Sequence, residues 1–353
     1  MEKAFTSILL HWHEHENHRA MPWKGEKDPY KIWLSEIILQ QTRVEQGWAY
    51  YEKYIKAFPT VRDLAAAPDE TVLKMWEGLG YYSRCRNLLY TARMIVNEFD
   101  GHFPSDYKEL LRLKGVGAYT AAAIASFAFN LPYAVVDGNV IRVLSRYFGI
   151  TEPTDLTHVK RELDTLAQRL IDPHKAAAYN QAIMDFGATI CKPQLALCSS
   201  CVFQKNCYAK LNDCVQELPV KSKKIVIKQR FFEYFILHDD NGLFIRCRKQ
   251  KDVWQDLYEF VLEEHTEEKL LFSKKLPAYL EELSLDSIQF SSEMQMQKLT
   301  HQHIAAAYHF LKFSGKKPSL KGYTYVSLDQ LKDFPFPSLL NTFLTEQLKK
   351  GNF

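Results

Sequence analysis

The sequence lacks long apolar segments and a strong charge of one sign. In its 353 residues, no apolar run reaches the ~18 residues that a membrane-spanning helix needs. The first five residues, Met-Glu-Lys-Ala-Phe, show neither the apolar core nor the cleavage site of a secretory signal. With 45 basic and 42 acidic residues, the net charge is only +3, so charge alone does not predict nucleic-acid binding. We therefore expect an intracellular protein whose function must be inferred from its motifs.

Helical patterns dominate the first 219 residues. Apolar side chains surround most of the segment Ile32–Leu39, which predicts a buried helix. Similar patterns predict helices over Leu64–Trp76, Leu88–Phe99 and Tyr119–Phe129. At ~100–200 residues per domain, the chain has room for two or three domains. We assign residues 1–219 to one helical region.

The pattern changes in the last third of the chain. A lysine-rich stretch predicts a basic linker at residues 220–229. Beyond it, Phe231–Leu237 and Leu243–Cys247 are typical of strands, and the turn signal Asp239–Gly242 lies between them. The sequence therefore predicts a separate α+β domain over residues 230–353.

Four of the seven cysteines lie close together near the end of the helical region. Cys191, Cys198, Cys201 and Cys207 are separated by six, two and five residues. Four thiolates on one loop can bind a [4Fe-4S] cluster or Zn²⁺, and crowding of this kind in an intracellular protein disfavours disulfides. Structural zinc sites usually combine two short C-x-x-C knuckles, so the unequal arms found here favour a cluster over zinc.

The cysteine spacing resembles the cluster loop of the endonuclease III and MutY branch of the helix-hairpin-helix DNA glycosylases. The segment Leu113–Ala121, Leu-Lys-Gly-Val-Gly-Ala-Tyr-Thr-Ala, is similar to the hairpin of that superfamily. Gly115 and Gly117 allow a tight turn, and the free N–H groups at the start of the second helix can bind a DNA phosphate. By itself, a Gly-x-Gly is also typical of an ordinary turn between helices.

Two further positions resemble the reacting residues of the superfamily. Asp137 matches its catalytic aspartate, which stabilises positive charge on the deoxyribose as the base leaves, although a plain helix cap is the alternative. The resemblance also implies that Asn139 orients Asp137 or the attacking water. Members with lyase activity carry a lysine two residues after the second glycine, where this sequence has Tyr119. Because tyrosine cannot form a Schiff base, the resemblance implies base removal without strand cleavage.

The segment Ser35–Arg43, Ser-Glu-Ile-Ile-Leu-Gln-Gln-Thr-Arg, resembles MutY-type adenine glycosylases. Glu36 lies in a mostly apolar helix, and burial raises the pKa of a carboxyl group. A carboxyl that stays protonated near neutral pH can protonate adenine N7 and make the base a better leaving group. A structural carboxylate that pairs with Arg43 or with a backbone group is the alternative.

An enzyme that excises a base must flip it out of the duplex, and side chains fill the gap. The resemblance implies DNA contacts at Gln41, Thr42, Leu79 and Tyr81. We expect Gln41 and Tyr81 to act as wedges, because the glycines beside Tyr81 allow a sharp loop; core packing is the alternative for Tyr81 and Tyr82. Candidates for phosphate contacts, or equally for solvated surface residues, are Arg84, Arg86 and Lys114.

Residues 230–353 resemble the Nudix-like domain of MutY proteins, with Tyr258 in place of a family tryptophan. The acidic box of Nudix hydrolases is missing, so we expect a binding domain. The MutY domain recognises 8-oxoguanine through Phe-Ser-His, which corresponds here to Leu299, Thr300 and His301. Thr300 and His301 keep hydrogen-bonding groups, whereas Leu299 removes an aromatic ring. A strand-end loop without lesion contact is the alternative.

The resemblance as a whole implies a mainly α fold, namely a helix-hairpin-helix DNA glycosylase region with a [4Fe-4S] cluster loop, plus a C-terminal α+β Nudix-like domain. It implies a six-helix subdomain with the hairpin at about 24–131, and a cluster subdomain from 1–23 and 132–219. The expected activity is excision of adenine mispaired with 8-oxoguanine or guanine in double-stranded DNA. We expect a monomer in the bacterial cytoplasm, associated with the nucleoid and not with membranes. The alternatives are an endonuclease III-like glycosylase/lyase and a non-catalytic Fe-S DNA-binding protein.

Overall fold

The computed structural model describes residues 2–222, 226–291 and 293–353. The chain divides into two compact units. The first consists of Met1–Ala66 and Asn87–Lys224, and the second of Ala67–Arg86 and Ile225–Phe353. An internal segment of the helical region thus belongs to the same unit as the C-terminal residues. The domain boundaries expected from sequence remain a prediction, and positions 223–225 of the expected linker lie outside the described residues.

Fourteen α-helices occur in the described residues, most of them before the cysteine loop. Their bounds are Glu2–His15 (α1), Pro29–Leu39 (α2), Val44–Ala57 (α3), Val61–Ala66 (α4), Asp69–Met75 (α5), Ser83–Glu98 (α6), Tyr107–Arg112 (α7), Ala118–Phe129 (α8), Gly138–Phe148 (α9), Thr157–Leu170 (α10), Ala176–Thr189 (α11), Tyr208–Leu211 (α12), Ala278–Glu281 (α13) and Ser338–Lys350 (α14). No helix in these described stretches is both long and apolar enough to cross a membrane.

The helical pattern over Leu64–Trp76 is divided between two helices, α4 and α5, and Pro68 lies between them in an extended conformation. A proline disfavours helical backbone in the residue before it and supplies no N–H donor, so the helix is interrupted although the apolar pattern continues. The stretch 24–131, all of it described, contains the seven helices α2 to α8.

Helix α2 is buried, as its apolar pattern predicted. Trp33, Leu34 and Ile38 have no exposed surface. The helix begins with Pro29, and the side chain of Asp28 accepts a hydrogen bond from the N–H of Tyr30 at 2.9 Å. An acidic N-cap followed by proline is a strong start signal, because the cap satisfies a free N–H and the proline needs none.

An aromatic cluster joins α1 to the region around the cysteines. Phe5 stacks on Phe203 with 4.7 Å between the ring centroids, and Trp12 packs edge-on against Phe186 at 5.0 Å. All four side chains are buried in one continuous core with α9, α10 and α11. This packing fixes the cysteine loop, which has little secondary structure of its own, on a rigid helical base.

Helices α7 and α8 form the predicted hairpin. Gly115 has a left-handed φ of +80°, and a Cβ atom at this position would lie 2.9 Å from Cβ of Asn87. Only glycine satisfies both constraints without strain. The turn leaves Gly115 and Gly117 exposed at the beginning of α8, where the first N–H groups of a helix have no partner within the helix.

The second unit is built on a mixed sheet. Its strands are Lys228–His238 (β1), Gly242–Cys247 (β2), Tyr258–Glu259 (β3), Val261–His265 (β4), Ser287–Gln289 (β5), Met294–Lys298 (β6), Gln302–Lys312 (β7) and Thr324–Ser327 (β8). The main order is β3-β2-β1-β7-β5; β4 pairs with β1, β6 with β7 and β8 with β2. Strands β1 and β7 are parallel, and β6 and β7 are antiparallel.

The predicted first hairpin of this unit is confirmed. Strands β1 and β2 pair antiparallel, and a carboxylate oxygen of Asp239 accepts the N–H groups of Asn241 and Gly242 at 2.9 Å each. Such side-chain bonds explain why Asp and Asn favour this turn. Strand β1 begins at Lys228, so the last residues of the expected linker are strand.

The internal segment Ala67–Arg86 is bonded to the C-terminal residues within the second unit. The attachment includes these hydrogen bonds: Tyr258 Oη donates to Glu70 at 2.6 Å, Lys74 Nζ donates to the carbonyl of Phe334 at 3.0 Å, and the N–H of Phe336 donates to Glu77 at 3.0 Å. Tyr258, which replaces a family tryptophan, thus retains a polar group for this contact.

We expect Gly115→Ala to destabilise the first unit. A left-handed backbone costs an alanine ~1–2 kcal/mol, and displacement of Asn87 adds to that cost. The matched control is Gly117→Ala, because Gly117 has a φ of −90° and a Cβ atom added there would have no neighbour within 4 Å. Urea unfolding should separate the two variants by ~1 kcal/mol or more. Equal midpoints would contradict this account of the hairpin.

Candidate active site

The first unit contains a cavity of about 940 Å³, whose walls come from α2, α8, α11 and the beginning of α9. Six of the site residues predicted from sequence lie in its wall: Glu36, Gln41, Thr42, Tyr119, Asp137 and Asn139. These residues come from three separate stretches of sequence. Their convergence on one cavity is the strongest structural indication of an active site.

Glu36 is the buried acid of this cavity. It is 7% exposed, and its burial raises the pKa to about 7. A hydrogen bond with Tyr119 partly opposes this shift, whereas the negative charge of Asp137 adds to it. Arg43, the alternative partner considered from sequence, is exposed at the beginning of α3. The carboxyl group is therefore poised to hold and release a proton near neutral pH.

Tyr119 is the second residue of α8, immediately after the hairpin. Its burial and the nearby carboxyl groups of Glu36 and Asp137 raise its pKa well above the ordinary value for tyrosine. The hydroxyl group therefore keeps its proton. It contacts the Glu36 carboxyl and also lies 3.5 Å from Sδ of Met184. Because it has one proton to donate, it serves one of these acceptors at a time.

Asp137 is the N-cap of α9, as the alternative considered from sequence predicted. One carboxylate oxygen accepts the N–H groups of Asn139 and Val140 at 2.8 Å each. The other accepts Nδ2 of Asn139 at 2.7 Å. Three N–H donors and the positive end of the helix dipole stabilise a negative charge at this position. The cap also fixes the carboxylate at the cavity wall.

Arg142 connects this carboxylate to the cysteine loop, and the sequence analysis missed it. Its guanidinium donates to Oδ1 of Asn139 at 2.8 Å, to the carbonyl of Cys191 at 2.7 Å and to the carbonyl of Gly187 at 2.6 Å. The sequence signal for Arg142 was weak, because it consisted of a cation three residues after Asn139 and thus on the same face of a helix. The structure adds that this cation is buried.

The four clustered cysteines line a small shared cavity together with apolar side chains and Arg146. Arg146 Nη1 lies 3.5 Å from Sγ of Cys191, and the N–H of Phe203 lies 3.4 Å from Sγ of Cys201. Burial, with the neighbouring cysteines adding to it, raises the pKa of Cys201 to about 12. Four thiolates in this place therefore require a positively charged partner, which an iron–sulfur cluster supplies through its iron ions.

The donor set of this cavity consists of four cysteine thiols. Four thiolates are the usual ligand set of a [4Fe-4S] cluster, so the residues present are compatible with one. Among the described residues, no group of three or more His, Cys, Asp or Glu side chains is placed to bind a metal ion. The identity of the bound group therefore stays a prediction from the sequence.

The predicted DNA contacts differ in their exposure. Gln41 and Tyr81 both have left-handed backbones, with φ values of +57° and +47°, and both are exposed. Residues with side chains rarely adopt this conformation, and it is concentrated at functional sites. Thr42 is partly buried, and Leu79 is only 6% exposed. Gln41 and Tyr81 are therefore better placed than Leu79 to project from the surface.

The three phosphate-contact candidates differ in exposure. Arg84 is buried, so neither a phosphate contact nor a solvated surface role fits it. Arg86 is partly exposed and donates to the carbonyl of Gln255 at 2.8 Å within the second unit, and its phosphate role stays a prediction. Lys114 is exposed, and its ammonium group lies 4.4 Å from the centroid of the Tyr90 ring. Tyr82 is buried, as the core alternative predicted.

The second unit brings a predicted wedge and a predicted lesion-reading residue together. Thr300 and His301 are exposed in the turn between β6 and β7. The hydroxyl groups of Tyr81 and Thr300 are hydrogen-bonded, although they are 219 residues apart in sequence. Both side chains belong to the second unit, so the contact is part of its own fold.

Two family patterns match the chain. The pattern of the HhH-GPD superfamily of base excision DNA repair proteins matches residues 34–169, which include the second half of α2 and the hairpin. The pattern of the NUDIX domain matches residues 233–346, which include most of the sheet. The helix-hairpin-helix glycosylase region and the C-terminal Nudix-like domain expected from sequence are thereby confirmed, whereas the [4Fe-4S] cluster stays a prediction.

Relatives with a known function resemble much of the chain. An adenine DNA glycosylase from Buchnera aphidicola subsp. Baizongia pistaciae is 36% identical over 258 residues, which cover 73% of each chain. The adenine DNA glycosylase of Mus musculus is 45% identical over 58% of this chain and 42% of its own length. The human adenine DNA glycosylase is 44% identical over 59% of this chain and 39% of its own length.

Solved structures agree on the helical fold. A thermostable thymine-DNA glycosylase superimposes with a TM-score of 0.55 and 32% identity, covering 60% of this chain and 97% of its own. A trapped endonuclease III–DNA covalent intermediate superimposes with a TM-score of 0.52 over 60% of this chain and 98% of its own. Its identity of 22% supports similarity of fold alone.

The raised pKa of Glu36 predicts a pH-dependent stability difference between the wild type and Glu36→Gln. The carboxyl binds its proton more tightly in the folded state, with a pKa of about 7 against 4.5 for an ordinary glutamate. The free energy of unfolding of the wild type therefore falls as the pH rises from 4.5 to about 7, and it levels off above this range. Glu36→Gln has no carboxyl group to titrate at this position. Its free energy of unfolding relative to wild type should therefore rise by up to about 3 kcal/mol over the same pH range.

Urea unfolding of both proteins across the window measures this difference. The control is Glu45→Gln, since Glu45 is an exposed carboxylate in the first turn of α3. Unfolding of this variant in parallel shows how much of any change comes from replacing a surface carboxylate and not from Glu36. A Glu36→Gln difference that stays constant from about pH 4.5 to about pH 7 would show that Glu36 titrates normally.

Proposed function

The chain belongs to the adenine DNA glycosylase family of base excision repair enzymes, and from that premise we propose that it excises adenine mispaired with 8-oxoguanine or guanine by hydrolysis alone. The observation that carries this proposal is the buried cavity in which Glu36, Tyr119 and Asp137 meet. A neutral acid and an anion side by side suit the hydrolysis of an N-glycosidic bond, which needs both a better leaving group and a stabilised sugar cation.

Glu36 acts as the general acid. With its pKa raised to about 7, it is protonated in a large fraction of molecules at neutral pH. It donates its proton to N7 of the flipped adenine, and the electrons of the glycosidic bond then leave with a neutral base. General acid catalysis of this kind contributes ~10²–10⁴-fold to the rate.

Asp137 stabilises the positive charge that develops on the deoxyribose as the bond breaks. Its carboxylate is held by three N–H donors, so it needs no rearrangement during the reaction. Asn139 holds one carboxylate oxygen and is itself held by Arg142. We assign to Asn139 the orientation of Asp137 and of the water that attacks C1′.

Tyr119 accounts for the absence of a lyase step. It occupies the position where the lysine nucleophile of bifunctional relatives would be, and its hydroxyl retains its proton. A neutral phenol forms no imine with the sugar, so the product is an intact strand with an abasic site. Its contact with Glu36 gives Tyr119 a different task, which is to orient the acid.

We assign Cys191, Cys198, Cys201 and Cys207 as the ligands of a [4Fe-4S] cluster. When bound, the cluster would supply rigidity to the loop that carries them. The chain's own part is to position this loop: the carbonyl of Cys191 accepts a hydrogen bond from Arg142, which also holds Asn139. Loss of the cluster ligands should therefore disturb the site of Asp137 as well as the loop.

The remaining assignments concern DNA. Gln41 and Tyr81 act as wedges, the N–H groups at Gly115 and Gly117 bind a phosphate, and we assign further DNA contacts to Thr42 and to Leu79. Thr300 and His301 read the base opposite adenine through a hydroxyl group and an imidazole. We further propose that the protein acts as a monomer on the bacterial chromosome in the cytoplasm, since its substrate is a mispair in duplex DNA.

The first experiment is single-turnover cleavage of a duplex that contains one adenine–8-oxoguanine pair, with and without hot alkali. We expect strand breaks only after alkali, because base loss without lyase activity leaves an alkali-labile site. Breaks without alkali would contradict the role of Tyr119. Base loss from an adenine–thymine duplex at the same rate would contradict the mispair specificity.

The rate of base excision should depend on the protonation of Glu36. Above about pH 7, the single-turnover rate should fall ~tenfold per pH unit, because only the protonated acid is active. Glu36→Gln should lose at least ~100-fold in this rate while it still binds the mispair. Binding is measured by fluorescence anisotropy and the rate by quenched time points, and Glu45→Gln is the control. A glutamine variant with wild-type rate would overturn the mechanism.

We expect recognition of 8-oxoguanine to depend on the hydroxyl group of Thr300. We expect Thr300→Ala to reduce the preference for adenine–8-oxoguanine over adenine–guanine by ~3–10-fold, the value of one hydrogen bond to the lesion. Thr300→Ser retains the hydroxyl group and should retain the preference. Equal preferences in all three proteins would remove Thr300 from lesion recognition and leave the excision chemistry unaffected.

A further inference from the structure

Arg84 is a buried cation that the excision mechanism does not use. It is the second residue of α6 and is 7% exposed. Burial lowers its pKa to about 10, so it remains charged at neutral pH. A buried guanidinium is retained only where its donors are matched, because desolvation of an unmatched charge is costly. Its neighbours therefore indicate its purpose.

The guanidinium of Arg84 points back into the loop that precedes its helix. Nη2 lies 3.2 Å from the carbonyl oxygen of Gly80 and 3.4 Å from that of Leu79. Trp76 Nε1 donates to the same Gly80 carbonyl at 2.9 Å. Two side chains thus fix the carbonyl groups immediately before Tyr81.

The same guanidinium also faces two aromatic rings. Its central carbon lies 5.2 Å from the centroid of the Trp76 ring and 5.6 Å from that of the Tyr81 ring. Both distances are within the range of a cation–π interaction. Tyr81 remains 41% exposed, so Arg84 supports the ring while much of it stays free.

The loop needs such support because its backbone is unfavourable. Gly80 and Tyr81 have φ values of +75° and +47°. Glycine adopts this region freely, whereas a tyrosine does so only when its surroundings enforce it. Arg84 contacts both residues of this left-handed segment: it donates to the carbonyl of Gly80 and faces the ring of Tyr81. Without it, we expect the loop to adopt other conformations.

We propose that Arg84 is a positioning residue that presents the Tyr81 ring for insertion into the base stack of a mispaired duplex. This inference rests on the proposed wedge role of Tyr81. Arg84 itself does not touch DNA; it holds the Leu79 and Gly80 carbonyl groups and one side of the ring. The Thr300 hydroxyl group holds the other end of the same ring in this structure.

A merely structural role for Arg84 makes a different prediction. Removal of a buried cation that only supports the fold would lower thermal stability and the fraction of active protein. It would leave the properties of each remaining active molecule unchanged. A positioning role alters how active molecules distort the duplex, so the test must measure that distortion.

The test uses a duplex with 2-aminopurine next to the base opposite adenine, whose fluorescence rises when stacking is lost. Signals at saturating enzyme are compared for wild type, Arg84→Gln, Arg84→Lys and Tyr81→Ala, each normalised to active-site titration. The matched control is Arg93→Gln. Arg93 is on the same helix, but its guanidinium donates to the carbonyl of Ala65 at 3.2 Å and so holds a residue of the first unit.

We expect Tyr81→Ala and Arg84→Gln to lose most of the fluorescence rise, and Arg93→Gln to retain it. Arg84→Lys keeps the charge but not the planar fork, so it should retain an intermediate signal. In single-turnover excision, Arg84→Gln should be roughly 3–30-fold slower, and the double variant with Tyr81→Ala no slower than Tyr81→Ala alone. If Arg84→Gln does not fold, Arg84→Lys carries the same comparison.

Three results would overturn the inference. A full fluorescence rise in folded Arg84→Gln or Arg84→Lys would show that Arg84 does not position the wedge. Losses that multiply in the double variant would show that Arg84 and Tyr81 act independently. If Tyr81→Ala itself keeps the full signal, the wedge role fails, whereas adenine excision by Glu36 and Asp137 stands, so the two failures are distinguishable.

Discussion

The chemistry that we propose depends on the unequal surroundings of two carboxyl groups that line one cavity. Burial of Glu36, to which the nearby charge of Asp137 adds, disfavours ionisation of Glu36 and raises its pKa to about 7. Asp137 receives three N–H donors at the start of α9, while Glu36 lies in the apolar helix α2. In the proposed mechanism, Asp137 is the anion that stabilises the sugar and Glu36 is the acid.

Much of the first unit serves to maintain this inequality. Helix α2 is buried by its own apolar residues, the hairpin at Gly115 places Tyr119 against Glu36, and α9 carries Asp137 at its first turn. Arg142 then connects Asn139 to the carbonyl of Cys191. The cysteine loop is thereby part of the support of the anion, although its cysteines are far from Asp137 in sequence.

The features that could be predicted from sequence were local ones. The cap at Asp137, considered as an alternative to its catalytic role, the turn at Asp239–Gly242 and the buried helix that contains Glu36 each depend on neighbouring residues, and the structure contains all three. Features that depend on tertiary contacts could not be predicted. Arg84 looked like a DNA contact because it is basic and follows a glycine-rich loop, yet its guanidinium faces protein carbonyl groups and rings.

The most direct test is to measure the protonation of Glu36 itself. Infrared difference spectra between wild type and Glu36→Gln isolate the C=O band of this one protonated carboxyl, and the band can be followed with pH. We predict that it persists at neutral pH and disappears with a midpoint of about 7. A midpoint near 4.5, the value of an ordinary glutamate, would contradict the central claim.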